Sequence, residues 1–304
     1  MIQSTDLPDS RKVYIQTLEH PLFNQFKIRI DVLRLDKIHT IISGNKWFKL
    51  KYYLIDAASA GKKGIITFGG YYSNHLLATA YACKQMGFSS IGIIRGEKPA
   101  SFSPTLKDVE SYGMKIQFVS RPLYKNKDFI KELQESHPDF LLIEEGGQGF
   151  PGTKGAEEIL QLQNCHKYTH IICAVGTGTM ITGIINASLP DQEITGIICL
   201  KINRDDSHEI SNFIHTNSNS KKFNLQYDFH FGGYAKKNEE LIQFMNQLYH
   251  QHGIPTDFVY TAKLFYGSIK LVEQGFFAPG ANILIVHSGG IQGNRSLPPG
   301  VLDF

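Results

Sequence analysis

Four glycine-rich turns, each following a short apolar run, are where this sequence could do chemistry. Gly64–Phe68 runs into Gly69-Gly70-Tyr71-Tyr72-Ser73-Asn74-His75, and Phe140–Glu144 into Glu145-Gly146-Gly147-Gln148-Gly149. His170–Ala174 runs into Val175-Gly176-Thr177-Gly178-Thr179, and Asn282–Val286 into His287-Ser288-Gly289-Gly290. Ligands of open α/β sheets bind beyond the carboxyl ends of strands. Glycine there lets the backbone come close to a ligand, and the next helix offers unpaired N–H groups. The Gly176–Thr179 turn suits a phosphate, because backbone amides and two hydroxyls can hold one without a cation. It lacks the lysine of a Walker loop and the third glycine of a dinucleotide fingerprint. No acidic residue stands about twenty positions on at a strand end to take a ribose. The turn is therefore either a tight structural turn or the seat of a small phosphorylated cofactor, and a nucleotide is disfavoured.

Lysine supplies the reactive candidate. Ser43-Gly44-Asn45-Lys46-Trp47-Phe48-Lys49-Leu50-Lys51 follows an apolar strand and opens a helix. A cation in a first helical turn opposes the helix dipole, which lowers its pKa and favours a nucleophilic amine. Lys46 is thus open between an ordinary first-turn lysine and a covalent one, while Lys49 and Lys51 read as surface residues or phosphate neighbours. Ser73-Asn74-His75 reads as a helix cap, either a plain one or one that receives a substrate carboxylate.

Short β-rich runs alternate with 3.6-period segments, which predicts an α/β fold with mostly parallel sheets. Besides the four strands above, the pattern predicts strands over Val13–Thr17, Lys27–Leu35, Ser90–Arg95, Lys115–Val119, Glu193–Leu200 and Leu225–Phe231. Helices are predicted over Asn45–Ala60, Asn74–Met86, Pro104–Tyr112, Lys127–Ser136, Thr153–Asn164, Met180–Ala187, Asp206–Thr216, Lys237–His252 and Ala262–Glu273. The Ser/Asn/Lys stretch Thr216–Lys222 reads as an exposed loop. At 304 residues the chain makes one large or two ordinary domains and needs no staples. A net charge of +3 spread along the chain gives no nucleic-acid footprint. Cys83, Cys165, Cys173 and Cys199 form no CxxC pair and read as buried free thiols. No secretory pattern and no 18-residue apolar run is present, so no membrane partner and a cytoplasmic location are expected.

Seven motifs in chain order carry a family resemblance. They are Ser-Gly-Asn-Lys at 43–46, Gly-Gly-Tyr-Tyr-Ser-Asn-His at 69–75, Glu-Gly-Gly at 145–147, Gly-Thr-Gly-Thr at 176–179, Gly-Gly-Tyr at 232–234, Val-Tyr-Thr-Ala-Lys at 259–263 and His-Ser-Gly-Gly at 287–290. Over roughly residues 27–295 the chain resembles the D-cysteine desulfhydrase and 1-aminocyclopropane-1-carboxylate deaminase family. These are pyridoxal-phosphate enzymes of the tryptophan-synthase-β fold, fold type II. The resemblance implies two three-layer αβα domains, a large cofactor-binding one over 1–50 and 151–304 and a small inserted one over 51–150. It also implies a homodimer. By the same resemblance Lys46 bonds covalently to pyridoxal 5'-phosphate, Asn74 meets the cofactor's phenolic oxygen, and Gly176, Thr177, Gly178 and Thr179 hold its phosphate. Ser288 faces the pyridine nitrogen, Ser73 contacts substrate with Asn74 and His75 beside it, and Tyr234 and Tyr260 are active-site tyrosines.

The resemblance also favours one activity. Deaminases of the family have a glutamate after the second tyrosine and an apolar residue in the last turn, where this chain has Thr261 and Ser288. A neutral hydroxyl at the ring nitrogen makes a weaker electron sink than a carboxylate. That suffices to expel hydrosulfide but suits cyclopropane opening poorly. The expected reaction is a lyase step of amino-acid metabolism, D-cysteine to pyruvate, hydrogen sulfide and ammonia. The Cα proton goes to the Lys46 amine or to a tyrosinate, and Tyr260 protonates the leaving group. The alternatives are the cyclopropane deaminase, an L-serine or L-cysteine lyase, and a non-catalytic pyridoxal-phosphate-binding protein. Leu33 and Leu35 replace polar residues of many relatives, and Trp47-Phe48 and Tyr71-Tyr72 stand where relatives differ, which bears on the substrate more than on the cofactor.

Overall fold

A computed structural model describes residues 6–201, 204–219 and 223–304. In chain order it runs β1 (Ile15–Leu18), α1 (Pro21–Gln25), β2 (Arg29–Arg34), α2 (Asn45–Ser59), β3 (Gly64–Gly69), α3 (Asn74–Met86), β4 (Ser89–Arg95) and α4 (Pro104–Ser111). It continues through β5 (Lys115–Val119), α5 (Arg121–Tyr124), α6 (Lys127–Ser136), β6 (Phe140–Ile143), α7 (Phe150–Glu157), β7 (His170–Val175) and α8 (Thr179–Ala187). The last elements are β8 (Glu193–Ile198), α9 (Arg204–Asn217), β9 (Phe223–Gln226), α10 (Glu239–His252), α11 (Thr261–Glu273) and β10 (Asn282–His287). Two sheets result. One has the order β1-β2-β10-β7-β8-β9, the other β5-β4-β3-β6. Every pairing is parallel except β1 with β2. The strands read as continuous Ile/Val/Leu runs because helices cover both sheet faces.

Local chemistry sets the element ends. Ser73 Oγ accepts from Leu76 N at 3.2 Å to start α3, and Gly87 at φ 75° ends it in the left-handed region that glycine adopts without cost. Helix α2 buries Phe48 in one core and Leu50, Tyr53, Leu54 and Ala57 in another, each large side chain contributing about 1.5–3 kcal/mol. Helix α7 lies against it through Gly155, where any Cβ would run into the Phe48 carbonyl.

Three sequence expectations change. The helix expected over Thr153–Asn164 starts at Phe150 instead, because Pro151 presets its first turn, and after Glu157 it tightens into a 3-10 turn over Glu158–Gln161. Its Glu158 carboxylate is taken by Lys51 and Tyr52. The strand expected over Leu225–Phe231 is β9, which ends at Gln226: its last partner is Ile197, one residue before β8 ends. Helix α9 continues to Asn217, past the start of the loop expected at Thr216; residues 220–222 of that stretch lie outside the described residues. The four cysteines are buried and unbonded. Among the described residues no helix is long and apolar enough to cross a membrane.

Candidate active site

The four glycine-rich turns leave the carboxyl ends of β3, β6, β7 and β10 and meet at one cavity of about 560 Å³ between the two sheets. Its wall includes Lys46, Lys49, Ser73, Asn74, His75, Gly176, Thr177, Gly178, Tyr234, Tyr260 and Ser288. Lys46 is held by a junction of two loops. Asn45 N donates to Ser288 O at 2.9 Å, and Gly290 N donates to Ser43 Oγ at 3.3 Å. The first turn of α2 is thereby fixed to the turn after β10. Burial lowers the Lys46 pKa to about 8, against the pull of Glu145 and Asp257 in the other direction.

Half of the Lys46 amine is therefore neutral near pH 8. Capture of pyridoxal phosphate by cofactor-free protein is expected to speed up with rising pH and to level off above about pH 8. An ordinary lysine would place that plateau about two pH units higher. Stopped-flow absorbance checks the profile, and a rate still climbing at the higher value contradicts the shift.

Lys49 corrects an expectation. It is 5% exposed, one helical turn beyond Lys46, and lines the same cavity, so it is no surface residue. Burial, with the like charge of Lys46, drives its pKa well below the ordinary value. Lys51 does face outward, paired with Glu158.

The cap at Ser73 behaves as its sequence suggests, and the His75 ring, in the same cavity wall, is bonded to Thr67. Thr67 Oγ1 donates to Ile143 O at 2.9 Å, so it accepts from His75 Nε2 at 2.8 Å. That leaves Nδ1 a buried acceptor with no partner. Burial and the two lysines hold the ring's pKa well below its usual value, so it is neutral. A neutral acceptor cannot hold a carboxylate; the first-turn N–H groups at 74 and 75 can. Asn74 donates from Nδ2 to Gly290 O at 3.0 Å, and its buried Oδ1 has no partner.

Gly178 opens α8 at φ 86° with no side-chain cap, which leaves the helix's first amides to a ligand. The Thr177 and Thr179 hydroxyls lie 3.0 Å apart. Thr177 lines the cavity, whereas Thr179 is fully buried behind it. A Cβ at Gly146 would lie 3.3 Å from Thr177 Cγ2 and 4.0 Å from Lys46 Nζ, so that glycine keeps the space between amine and loop open. Tyr234 and Tyr260 meet edge to face at 6.4 Å. Burial and the neighbouring Tyr234 push Tyr260 well above the ordinary phenol value, so it is a proton donor and the tyrosinate base expected as an option does not form there. Thr261 is fully buried and spent on Asp257, whereas Ser288 remains in the cavity wall. Trp47 and Phe48 pack in the core and stay out of the cavity wall, whereas Tyr71 and Tyr72 line it.

Sequence reasoning missed Asp257. Its buried carboxylate accepts from Val259 N, Tyr260 N and Thr261 N at 2.9–3.0 Å and from Thr261 Oγ1 at 2.8 Å, which fixes the turn that carries Tyr260. An Asp placed four residues before a helix start was its only sequence signal. The residues present fit pyridoxal phosphate: an uncapped helix start for a phosphate and a lysine of lowered pKa for an aldehyde, both in one cavity wall. Among the described residues no group of three or more His, Cys, Asp or Glu is placed to hold a metal.

Comparison with known proteins agrees with that chemistry. The family model described as "Pyridoxal-phosphate dependent enzyme" matches residues 21–289. A Pyrococcus horikoshii protein named "Putative 1-aminocyclopropane-1-carboxylate deaminase" is 30% identical, over 83% of this chain and 81% of its own length. The mitochondrial bifunctional D-cysteine desulfhydrase/1-aminocyclopropane-1-carboxylate deaminase of Arabidopsis thaliana is 28% identical, over 83% of this chain and 70% of its own. A crystal structure described as an ACC deaminase homologue superposes with a TM-score of 0.80 at 27% identity, covering 96% of this chain and 94% of that one.

Proposed function

The chain belongs to the pyridoxal-phosphate dependent enzymes, and on that premise we propose that it catalyses β-elimination from a small amino acid, with D-cysteine giving pyruvate, hydrogen sulfide and ammonia. The observation that carries the choice is Ser288: the turn after β10 presents a neutral hydroxyl to the cavity, and Thr261 is committed to Asp257. Pyridoxal phosphate, when bound, supplies an electron-accepting ring for the pair left on Cα. The amides of the Gly176–Thr179 turn and the Thr177 hydroxyl would hold its phosphate, with the Lys49 amine one turn from Lys46 in the same cavity wall. The first-turn amides of α3, positioned by the Ser73 cap, hold the substrate carboxylate. The Lys46 amine takes up the Cα proton, which its lowered pKa favours near neutral pH. Tyr260 keeps its proton until the β-substituent departs and then donates it from Oη. Tyr71 and Tyr72 narrow the mouth and exclude water. Four unbonded buried thiols support a reducing, cytoplasmic setting. A homodimer belongs to the same reading.

A second reading, the cyclopropane deaminase, is favoured by the name of the Pyrococcus relative. Turnover of D-cysteine, L-cysteine, D-serine and 1-aminocyclopropane-1-carboxylate separates the two. Sulfide and pyruvate from D-cysteine are expected. 2-Oxobutyrate from the cyclopropane acid without sulfide from D-cysteine overturns the choice. Retained cofactor with no turnover of any of the four favours a non-catalytic binding protein.

A further inference from the structure

We propose that the outer half of the cavity is an anion subsite, formed by Arg95, Arg121 and Lys201, that selects β-substituted amino acids whose β-substituent is negatively charged. The inference rests on the elimination reading and extends it to a substrate class. Arg95 ends β4, Arg121 opens α5 just after β5, and Lys201 follows β8, and all three line the cavity that holds Lys46. Glu145 is the one acidic residue among the described residues of that wall. The two deep lysines have work in the proposed chemistry; the three outer cations have none.

Their donors are unspent. The guanidinium of Arg95 stands 3.9 Å from the Glu145 carboxylate, beyond hydrogen-bond reach. It is held over the Tyr124 ring at 5.5 Å, and its side chain is only 33% exposed. Neither Arg121 nor Lys201 makes a hydrogen bond, ion pair or ring contact with any described residue. A planar fork with free N–H groups matches phosphate, sulfonate or carboxylate oxygens two at a time. Arg95 and Lys46 share one cavity of about 560 Å³, and Arg95 is paired at 3.9 Å with Glu145, the residue before Gly146.

The step balances without any further reactant but water. With O-phosphoserine the Cα–H bond breaks and its proton goes to Lys46. The Cβ–O bond breaks with its electron pair leaving on phosphate. The three-carbon remainder takes up one water and ends as pyruvate and ammonia.

The test titrates cofactor-loaded protein with O-phosphoserine and with serine, in both enantiomers, and measures turnover of each beside D-cysteine. It is repeated in the Arg95→Met and Arg121→Met variants; Arg121 is exposed, so its variant folds even if the Arg95 one does not. O-Phosphoserine is expected to bind at least about tenfold tighter than serine at low salt. Each substitution is expected to lose about tenfold or more of that preference, as for a charge-assisted hydrogen bond. S-Sulfocysteine following the same pattern marks a general anion subsite; phosphate alone marks one fitted to a phosphate ester. Equal affinities, an unchanged preference in both variants, or release of cofactor absorbance by O-phosphoserine overturns the subsite. D-Cysteine turnover with no anion preference sinks the subsite alone. Anion preference with no sulfide from D-cysteine sinks the desulfhydrase reading and leaves the subsite standing.

Discussion

Lys46→Ala abolishes the long-wavelength absorbance of the bound cofactor and lowers turnover by about a thousandfold or more. The size follows from two losses at one atom. The covalent hold on the aldehyde goes, and so does the base for the Cα proton, which alone is worth about 10²–10⁴. The fold is expected to survive, because Lys46 lies in the first turn of α2 and the helix is anchored on two faces, by Phe48 and by Leu50 and Leu54. Absorbance and far-UV circular dichroism of the same sample check both halves. A variant with unaltered absorbance means that another amine carries the cofactor.

Gly44→Ala is expected to weaken cofactor binding by at least about tenfold while leaving both sheets formed. Gly44 is at φ 75°, where an alanine costs about 1–2 kcal/mol. Its new Cβ would also collide with the Ser288 carbonyl and lie 2.7 Å from Gly289 Cα. Both neighbours are backbone, so the loops bearing Lys46 and Ser288 must move apart. Gly61→Ala is the control. It has a similar φ of 64° but nothing within 4 Å of the new Cβ. It should show the strain in its melting temperature and no change in cofactor affinity. Titration of both variants with pyridoxal phosphate checks the difference, and equal affinities would mean that the junction at 44 and 288 does not position the site.

The parts legible in the sequence were those written by local chemistry. Helix α3 has its bounds at Asn74 and Met86 because Ser73 caps one end and Gly87 ends the other, both readable from residue type. The four turns fall at strand ends because a parallel strand must turn there, and glycine marks the turn. Lys49 was not legible. Lysine is ordinarily exposed, and only the packing of α2 against α7 and the turn at Glu145–Gly147 turns that face inward. Asp257 was not legible either, because its four acceptor contacts form only when Val259, Tyr260 and Thr261 wrap around it. The bounds of the short β9 were not legible for a third reason: an edge strand lasts only as long as its single neighbour, and periodicity does not record where β8 stops.

The cavity contains two lysines whose pKa burial lowers, Lys46 and Lys49. Borohydride reduction of the cofactor-loaded protein, followed by peptide mass spectrometry, identifies the amine that bears the pyridoxyl group. The group is predicted on Lys46, with Lys49 unmodified. Pyridoxyl mass on Lys49, or on neither lysine, contradicts the assignment on which the proposed reaction rests.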